Sequence, residues 1–454
     1  MKKALEYAGE HENRFVGELK DLLRIKSIST DDAYRDDVRR AAEWVAENLR
    51  SVGMQTVVVH ETAGHPIVTA EYHSGDDRPT VLVYGHYDVQ PPDPLDLWKT
   101  PPFEPTVEKG ELYARGASDD KGQMFMHVKA AEAYLATGGL PINLKFLVEG
   151  EEESGSVHLR PFIEAHKDDL AADLVLISDT ALFGDGLPSI TCGLRGLAYV
   201  EVILTGPNRD LHSGVYGGGV ENPINALARI IGGLHDQDHR VTIPGFYENV
   251  RELTEEERKE IRELPFDEKA WLGSVGVSEA RTEEGYSVLE GIWARPTLDA
   301  NGIWGGYQGV GAKTVLPSKA GAKISMRLVP DQRPDELVAK LKRYLEAAVP
   351  PTMTMEFRNL HGGQAVIVDT STPAMQAAIK AMEDVFGEKA RFVREGGSIP
   401  VVADFKQVMG IDTVLMGLGL NSDAIHSPNE HFSLDRFRKG IEASIRFMSA
   451  LGGA

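Results

Sequence analysis

VLVYGHYDV (residues 81–89) opens a stretch, Pro79 to Ser154, in which a histidine and several acids follow apolar runs. Val81–Gly85 reads as a buried strand that runs into His86 and Asp88. ARGASDDKGQ (114–123) sets Asp119 and Asp120 after Gly116 and just ahead of a helical pattern starting near Lys121. In LKFLVEGEEESGS (144–156), Leu144–Val148 is a second buried strand, and it runs into Glu151, Glu152 and Glu153. Short apolar runs bounded by glycine and polar residues suit buried parallel strands. In an open α/β sheet, the loops at the carboxyl ends of such strands are where ligands bind.

Outward from this stretch the pattern repeats. Phe15, Leu19, Leu22 and Leu23 fall at helical spacing, as do the apolar residues of Val38–Leu49. Gln55–Val59 and Ile67–Tyr72 read as strands, and the prolines at 91, 92, 94, 101 and 102 exclude regular helix after His86. Lys121–Ala136 is expected to be a helix with Met124, Val128, Ala131 and Leu135 on one face. Val157–His166 also reads as helical, and Leu174–Ile177 is another apolar strand, ending at Ser178-Asp179. This alternation predicts an α/β sheet domain.

Near Gly193–Gly196 the character changes. Ala198–Leu204 alternates as a half-buried strand, Pro223–Leu234 reads as helix, and a polar excursion fills about 236–290. Strand 322–328, helix 335–348 and strand 353–357 predict a smaller α+β layer, and from about Thr372 the larger α/β units return. The expectation is one discontinuous domain, 1–195 and 366–454, interrupted by an inserted domain, 196–365.

The 454 residues are too many for one ordinary core, and 42% hydrophobic with 26% charged residues describes a soluble globular chain. No apolar run approaches the length of a membrane span, and MKKALEYAGEHENRF has no apolar segment of the signal-peptide kind. The net charge of −21 argues against nucleic acid and anionic membranes as partners. A single cysteine, Cys192, excludes an internal disulfide framework and suits a cytoplasmic enzyme; its SITCGL setting predicts a buried, inert thiol.

His86, Asp119, Glu153 and Asp179 are spaced by about 30 residues, roughly one strand–helix unit, so successive strand ends can bring them to one site. GLNSDAIHSPNEHF adds His426 from a polar, non-periodic loop. Two imidazoles and three carboxylates, with no cysteine, suit zinc, manganese or cobalt and are enough for two cations sharing a bridging carboxylate. Such a pair both activates water and polarises a carbonyl, and a further carboxylate must then carry the water's proton. Adjacent acids in EGEEES serve both needs, one binding metal while the next faces substrate. Singly, each cluster has a structural explanation as cap, turn or solvated face. Three clusters at three strand ends are harder to explain that way.

GHYDVQPP, LYARGASDDKG, EGEEESGS, ISDT, DLHSGVYGG, REGGSIPV and AIHSPNEH, in this order from about residue 80 to 430, resemble the motif series of the M20 metallopeptidases. That family includes cytosolic dipeptidases of the carnosinase type and amidases such as succinyl-diaminopimelate desuccinylase. The resemblance implies a zinc-peptidase-like α/β catalytic domain with an inserted α+β lid and dimerisation domain. It further implies two divalent ions per subunit, zinc foremost, with manganese or cobalt as alternatives. His86 and Asp179 would bind one ion, Glu153 and His426 the other, and Asp119 would bridge them across a cis Asp119–Asp120 peptide. Glu152 resembles the general base, and Asp88 the acid that hydrogen-bonds His86 and fixes its tautomer. The Ser-Gly-Ser after Glu153 sets this register and leaves Glu151 over.

In the inserted domain, His212 lies in a Gly-rich loop, and by resemblance it reaches the other subunit's site to stabilise the oxyanion. Arg327 alternates with apolar residues on a strand and is expected to clamp the substrate's terminal carboxylate, which a guanidinium fork matches well. Thr314, His361, Gly397 and Ser398 match further substrate-lining positions. The expected activity is hydrolysis of dipeptides or short peptides with a free carboxylate, by a homodimer. An N-acyl-amino-acid amidohydrolase using the same metals is the alternative, and a non-catalytic binding protein would require a lost ligand or base.

Overall fold

The Val-, Leu- and Ile-rich runs form strands because β-branched and apolar side chains pack well on a pleated surface covered on both faces. The structure, a computed structural model, describes residues 1–397 and 399–453. The fold is mixed α/β and divides into two units: Met1–Cys192 with Val368–Val393 and Asp404–Ala454, and Gly193–Ile367 with Arg394–Ala403.

In the first unit the strands lie in the order Thr56–His60, Ile67–Tyr72, Asn143–Glu149, Thr80–His86, Leu174–Ile177, Asp412–Leu415. The last four pair in parallel, with His86 opposite Glu149, Tyr84 opposite Ile177, and Ile177 opposite Leu415. This register leaves the carboxyl ends of four strands nearly level, so the loops that follow His86, Glu149, Ile177 and Leu415 leave the sheet along one edge.

Glu12–Leu23 is a helix that buries Phe15, Leu19, Leu22 and Leu23. Lys121–Thr137 differs from the one-faced helix that its spacing suggested: it is buried on nearly all sides. It is packed against the Thr80–His86 strand and the helices Lys2–Glu10, Glu12–Leu23 and Leu434–Leu451, so its polar residues need internal partners. Lys129 finds them in Glu132 at 2.9 Å and Asn48 at 3.1 Å. Among the described residues, no helix is long and apolar enough to cross a membrane.

The second unit is built on an antiparallel sheet in the order Thr297–Gly305, Lys319–Leu328, Gly196–Thr205, Thr354–Gly363. Ala198, Val200, Val202 and Leu204 alternate onto one face, where they meet Ile324, Met326 and Leu328 and the helices Pro223–Gly232 and Pro334–Ala348. Leu227, Ile230, Leu337, Leu341 and Leu345 close this core. Alternation therefore turns Leu197, Tyr199, Ser325 and Arg327 to the other face. The polar excursion holds three short helices, Glu255–Arg262, Glu268–Val275 and Val288–Ala294, two of them started by capping boxes at Thr254 and Ser287. Cys192 is half-buried at the end of the first unit, more open than its sequence setting suggested.

Candidate metal centre and substrate-binding residues

His86 ends its strand fully buried, with Nε2 3.1 Å from Asp119 Oδ1 and 3.9 Å from Asp179 Oδ2. Its other nitrogen, Nδ1, is 3.1 Å from the Asp88 carbonyl and 3.4 Å from Asp88 Oδ1. An imidazole whose Nδ1–H is taken by an acceptor presents the Nε2 lone pair elsewhere, here towards Asp119 and Asp179. Asp88 also accepts the backbone N–H groups of Glu152 at 3.3 Å and Glu153 at 3.1 Å, and so shapes the turn after the neighbouring strand.

Asp119 lies between two groups. Its Oδ1 faces His86, while Oδ2 is 2.9 Å from His426 Nε2, which is in turn 3.2 Å from Glu153 Oε2. The donor atoms of His86, Asp119 and Asp179, and those of Asp119, Glu153 and His426, form two sets, each mutually within 4.8 Å. Gln90 Nε2 donates to Glu153 Oε2 at 2.8 Å and holds that carboxylate. The Asp119–Asp120 peptide is cis, and Asp120 Oδ2 accepts the His86 N–H at 3.2 Å. Gly85 is needed for this approach, since a Cβ there would stand 2.7 Å from Asp120 Oδ2 and 2.6 Å from Met124.

The electrostatics follow from crowding. Burial, together with the charges of Asp179, Glu153 and Asp119, holds the Glu152 carboxyl well above its usual range, against the pull of His86. Burial opposes protonation of His86, but hydrogen bonds with Asp119 and Asp88 raise its affinity for a proton well above normal. Asp119 is buried too, yet the imidazoles of His426 and His86 keep it ionised far into acid. Two imidazoles and three carboxylates disposed as two three-donor sets with one carboxylate in common fit a pair of borderline or hard divalent cations.

The first glutamate of the run turns away. Glu151 accepts the His65 N–H at 3.1 Å and stands 2.8 Å from His158 Nδ1, a role in fastening the 62–65 loop.

In the second unit, His212 and Thr314 come together. His212 pairs with Val315 in a two-residue ladder, and the Ser213 N–H donates to the Thr314 carbonyl at 3.1 Å. His212 Nδ1 accepts the Gly214 N–H at 3.0 Å, so the neutral ring carries its proton on Nε2 and can donate from there. Arg327 and His361 lie on the sheet, opposite Leu197 and Tyr199 respectively, and the His361 ring meets Tyr199 edge-on at 5.2 Å. Gly397 accepts the Arg195 N–H at 3.1 Å, and Arg195 Nε donates to Gly396 O at 3.1 Å. Burial, and after it the charge of Arg327, pushes the Arg195 guanidinium down to about 10. Ser398 lies outside the described residues.

Sequence reading missed Gln90, Arg195, Asp423 and Glu430. Gln90, Asp423 and Glu430 lie inside the quoted stretches, and Arg195 lies at the change of character at 193–196. A polar residue that will be buried carries no periodic signal, so only partners far along the chain reveal it.

Residues 82–450 match peptidase family M20/M25/M40. The Cys-Gly metallodipeptidase dug1 of Schizosaccharomyces pombe is 34% identical, over 99% of this chain and 98% of its own. The human Beta-Ala-His dipeptidase is 32% identical over 98% of this chain and 92% of its own. Among solved structures, the M20 family metallo-carboxypeptidase Sso-CP2 from Sulfolobus solfataricus superposes with a TM-score of 0.89 at 35% identity, covering 97% of this chain and 99% of that one.

Proposed function

The chain belongs to peptidase family M20/M25/M40, and from that premise we propose that it is a two-metal dipeptidase acting on dipeptides or short peptides with a free carboxylate. The observation that carries this reading is the meeting of two three-donor sets at Asp119, with Glu152 in the same turn as the ligand Glu153. His86 and Asp179 would hold one cation, Glu153 and His426 the other, and Asp119 would serve both; zinc is the first choice, with manganese or cobalt also suited to these donors. When bound, the cations supply the charge that polarises the scissile carbonyl and acidifies a water molecule.

The protein's own residues do the rest. The Asp88 carbonyl, with the Asp88 carboxylate 3.4 Å from the same nitrogen, keeps the His86 ring in one tautomer and orientation. A Glu152 carboxylate oxygen takes a proton from the water as its oxygen bonds to the carbonyl carbon. The same oxygen returns the proton to the amide nitrogen as the C–N bond breaks, leaving an acid and an amine. His212 donates from Nε2 to the developing oxyanion, and Arg327 binds the terminal carboxylate, with Thr314, His361 and Gly397 as further substrate-binding residues. The active form is a homodimer assembled through the second unit, with His212 serving the partner subunit. A cytoplasmic location suits the single cysteine.

The test is a substrate panel on metal-loaded protein: free dipeptides, the same peptides amidated at the C-terminus, and N-acetyl and N-succinyl amino acids. Free dipeptides are expected to be turned over best. Activity confined to the acyl compounds would replace the dipeptidase reading with the amidohydrolase one.

A further inference from the structure

His426 sits in a loop whose backbone needs support. Ala424, His426 and Asn429 hold φ of 58°, 59° and 68°, a region unfavourable to residues with a Cβ. A loop with three such residues so close together persists only when its surroundings hold it. Two buried carboxylates flank His426, and both grip the loop that carries Asp119.

On one side, Asp423 is fully buried and accepts a hydrogen bond from Ser118 Oγ at 3.0 Å. Its charge is matched by Arg436, whose Nη1 and Nη2 donate at 2.7 and 2.5 Å in a two-pronged pair. On the other side, Glu430 is also fully buried and accepts four hydrogen bonds. They come from the backbone N–H groups of Gly116 at 3.0 Å, Ser118 at 2.9 Å and Asp119 at 3.1 Å, and from Arg115 Nη1 at 2.7 Å. Glu430 thus fixes the peptide plane that presents the Asp119 side chain, while its own position fixes the end of the His426 loop.

We propose that Asp423 and Glu430 are positioning residues that deliver His426 and Asp119 as one preassembled pair to the second cation, the one completed by Glu153. The proposal rests on the two-metal reading above. His86 ends the Thr80–His86 strand and Asp179 follows the Leu174–Ile177 strand, so apart from Asp119 the first donor set is placed without this clamp. Loss of either clamp therefore empties the second cation position before the first. Glu430→Gln keeps the shape of the side chain but turns an NH₂ group into a ring of N–H donors, so at least one buried donor goes unpaired. Residues that orient metal ligands typically change metal affinity by about 10–100-fold.

The test uses the full-length protein, stripped of metal and refilled with Mn²⁺ to two ions per chain, and is read by electron paramagnetic resonance. Wild type is expected to show the exchange-coupled spectrum of a bridged manganese pair. Glu430→Gln and Asp423→Asn are expected to show a single bound ion, with the second ion at least tenfold weaker and the first little changed. Ser118→Ala removes one hydroxyl from the clamp and keeps both carboxylates, so it serves if the charge variants fail to fold; it too should weaken the second ion selectively. A coupled pair at wild-type affinity in the variants would overturn the proposal, and so would equal loss of both ions. A wild type without a coupled pair would overturn the two-metal reading itself, and this proposal with it.

Discussion

The backbone N–H of Glu153 points into the Asp88 carboxylate, 3.1 Å from Oδ2, while the Asp88 Oδ1 stands 3.4 Å from His86 Nδ1. One buried residue therefore bears on both the His86 ring and the turn that carries Glu153, two of the proposed metal donors. Asp88→Ala is expected to weaken metal binding by about 10–100-fold and to lower kcat with it. Both variants keep the Asp88 carbonyl 3.1 Å from the ring, but Asp88→Asn also keeps a side-chain acceptor and should lose less. Chelator competition measures both, and wild-type affinity in Asp88→Ala would show that the ring needs no such support.

Glu152 and Glu151 separate chemistry from anchoring. Glu152→Gln removes proton transfer but no proposed metal donor, so kcat should fall by about 10²–10⁴-fold at unchanged metal content. Glu151→Gln loosens the contacts to His65 and His158 and should cost stability more than turnover. If the two variants behaved the other way round, the base would be Glu151.

Metal removal should destabilise the fold. Burial and the charges of Asp179, Glu153 and Asp119 raise the proton affinity of Glu152, burial and the charge of Asp119 raise that of Glu153, and a bound cation relieves that repulsion. A ligand that binds the native state at about 100 times its Kd adds about 2.7 kcal/mol. Thermal unfolding with and without chelator reads this directly; equal Tm values with metal demonstrably bound would contradict it.

Arg327→Met should raise KM for a free dipeptide by about 10–100-fold, the scale of a lost charge-assisted hydrogen-bond pair. The C-terminally amidated peptide should be nearly indifferent. Equal effects on both substrates would assign Arg327 to the sheet rather than to recognition.

His127 makes stability depend on acid. It is buried between Ser178 Oγ at 2.8 Å and Ser444 Oγ at 3.0 Å, and burial lowers it to about 4 from the ordinary 6.5. Below pH 6.5 the unfolded chain takes a proton that the native state refuses, so stability is full above that pH. It then declines as pH falls towards 4, by up to ~3 kcal/mol. Denaturation midpoints for wild type and His127→Gln should converge between pH 7.5 and 4.5. A constant gap would mean that the ring does not carry this dependence.

Much of this protein can be read along the chain. Leu174–Ile177 has the bounds that its apolar pattern predicts, and Thr80–His86 extends its prediction by a few residues. These patterns work because burying one face or a whole strand is a local demand on sequence. Lys121–Thr137 departed from its one-faced reading because neighbouring helices cover what would otherwise be its open side, and no helix announces its neighbours.

The kind of chemistry was determined by residue type: imidazoles and carboxylates at the ends of apolar runs can bind cations wherever they meet. Which acid does what was decided by the tertiary structure. Glu151, Glu152 and Glu153 are equivalent on paper and differ only because Glu151 is drawn to His65 and His158, and Glu153 to Gln90 and His426. Glu430 and Asp119 are likewise joined across most of the chain by a single hydrogen bond. Hydrogen-bond partners depend on distance in space, and the fold sets that distance by bringing together segments that are remote along the chain.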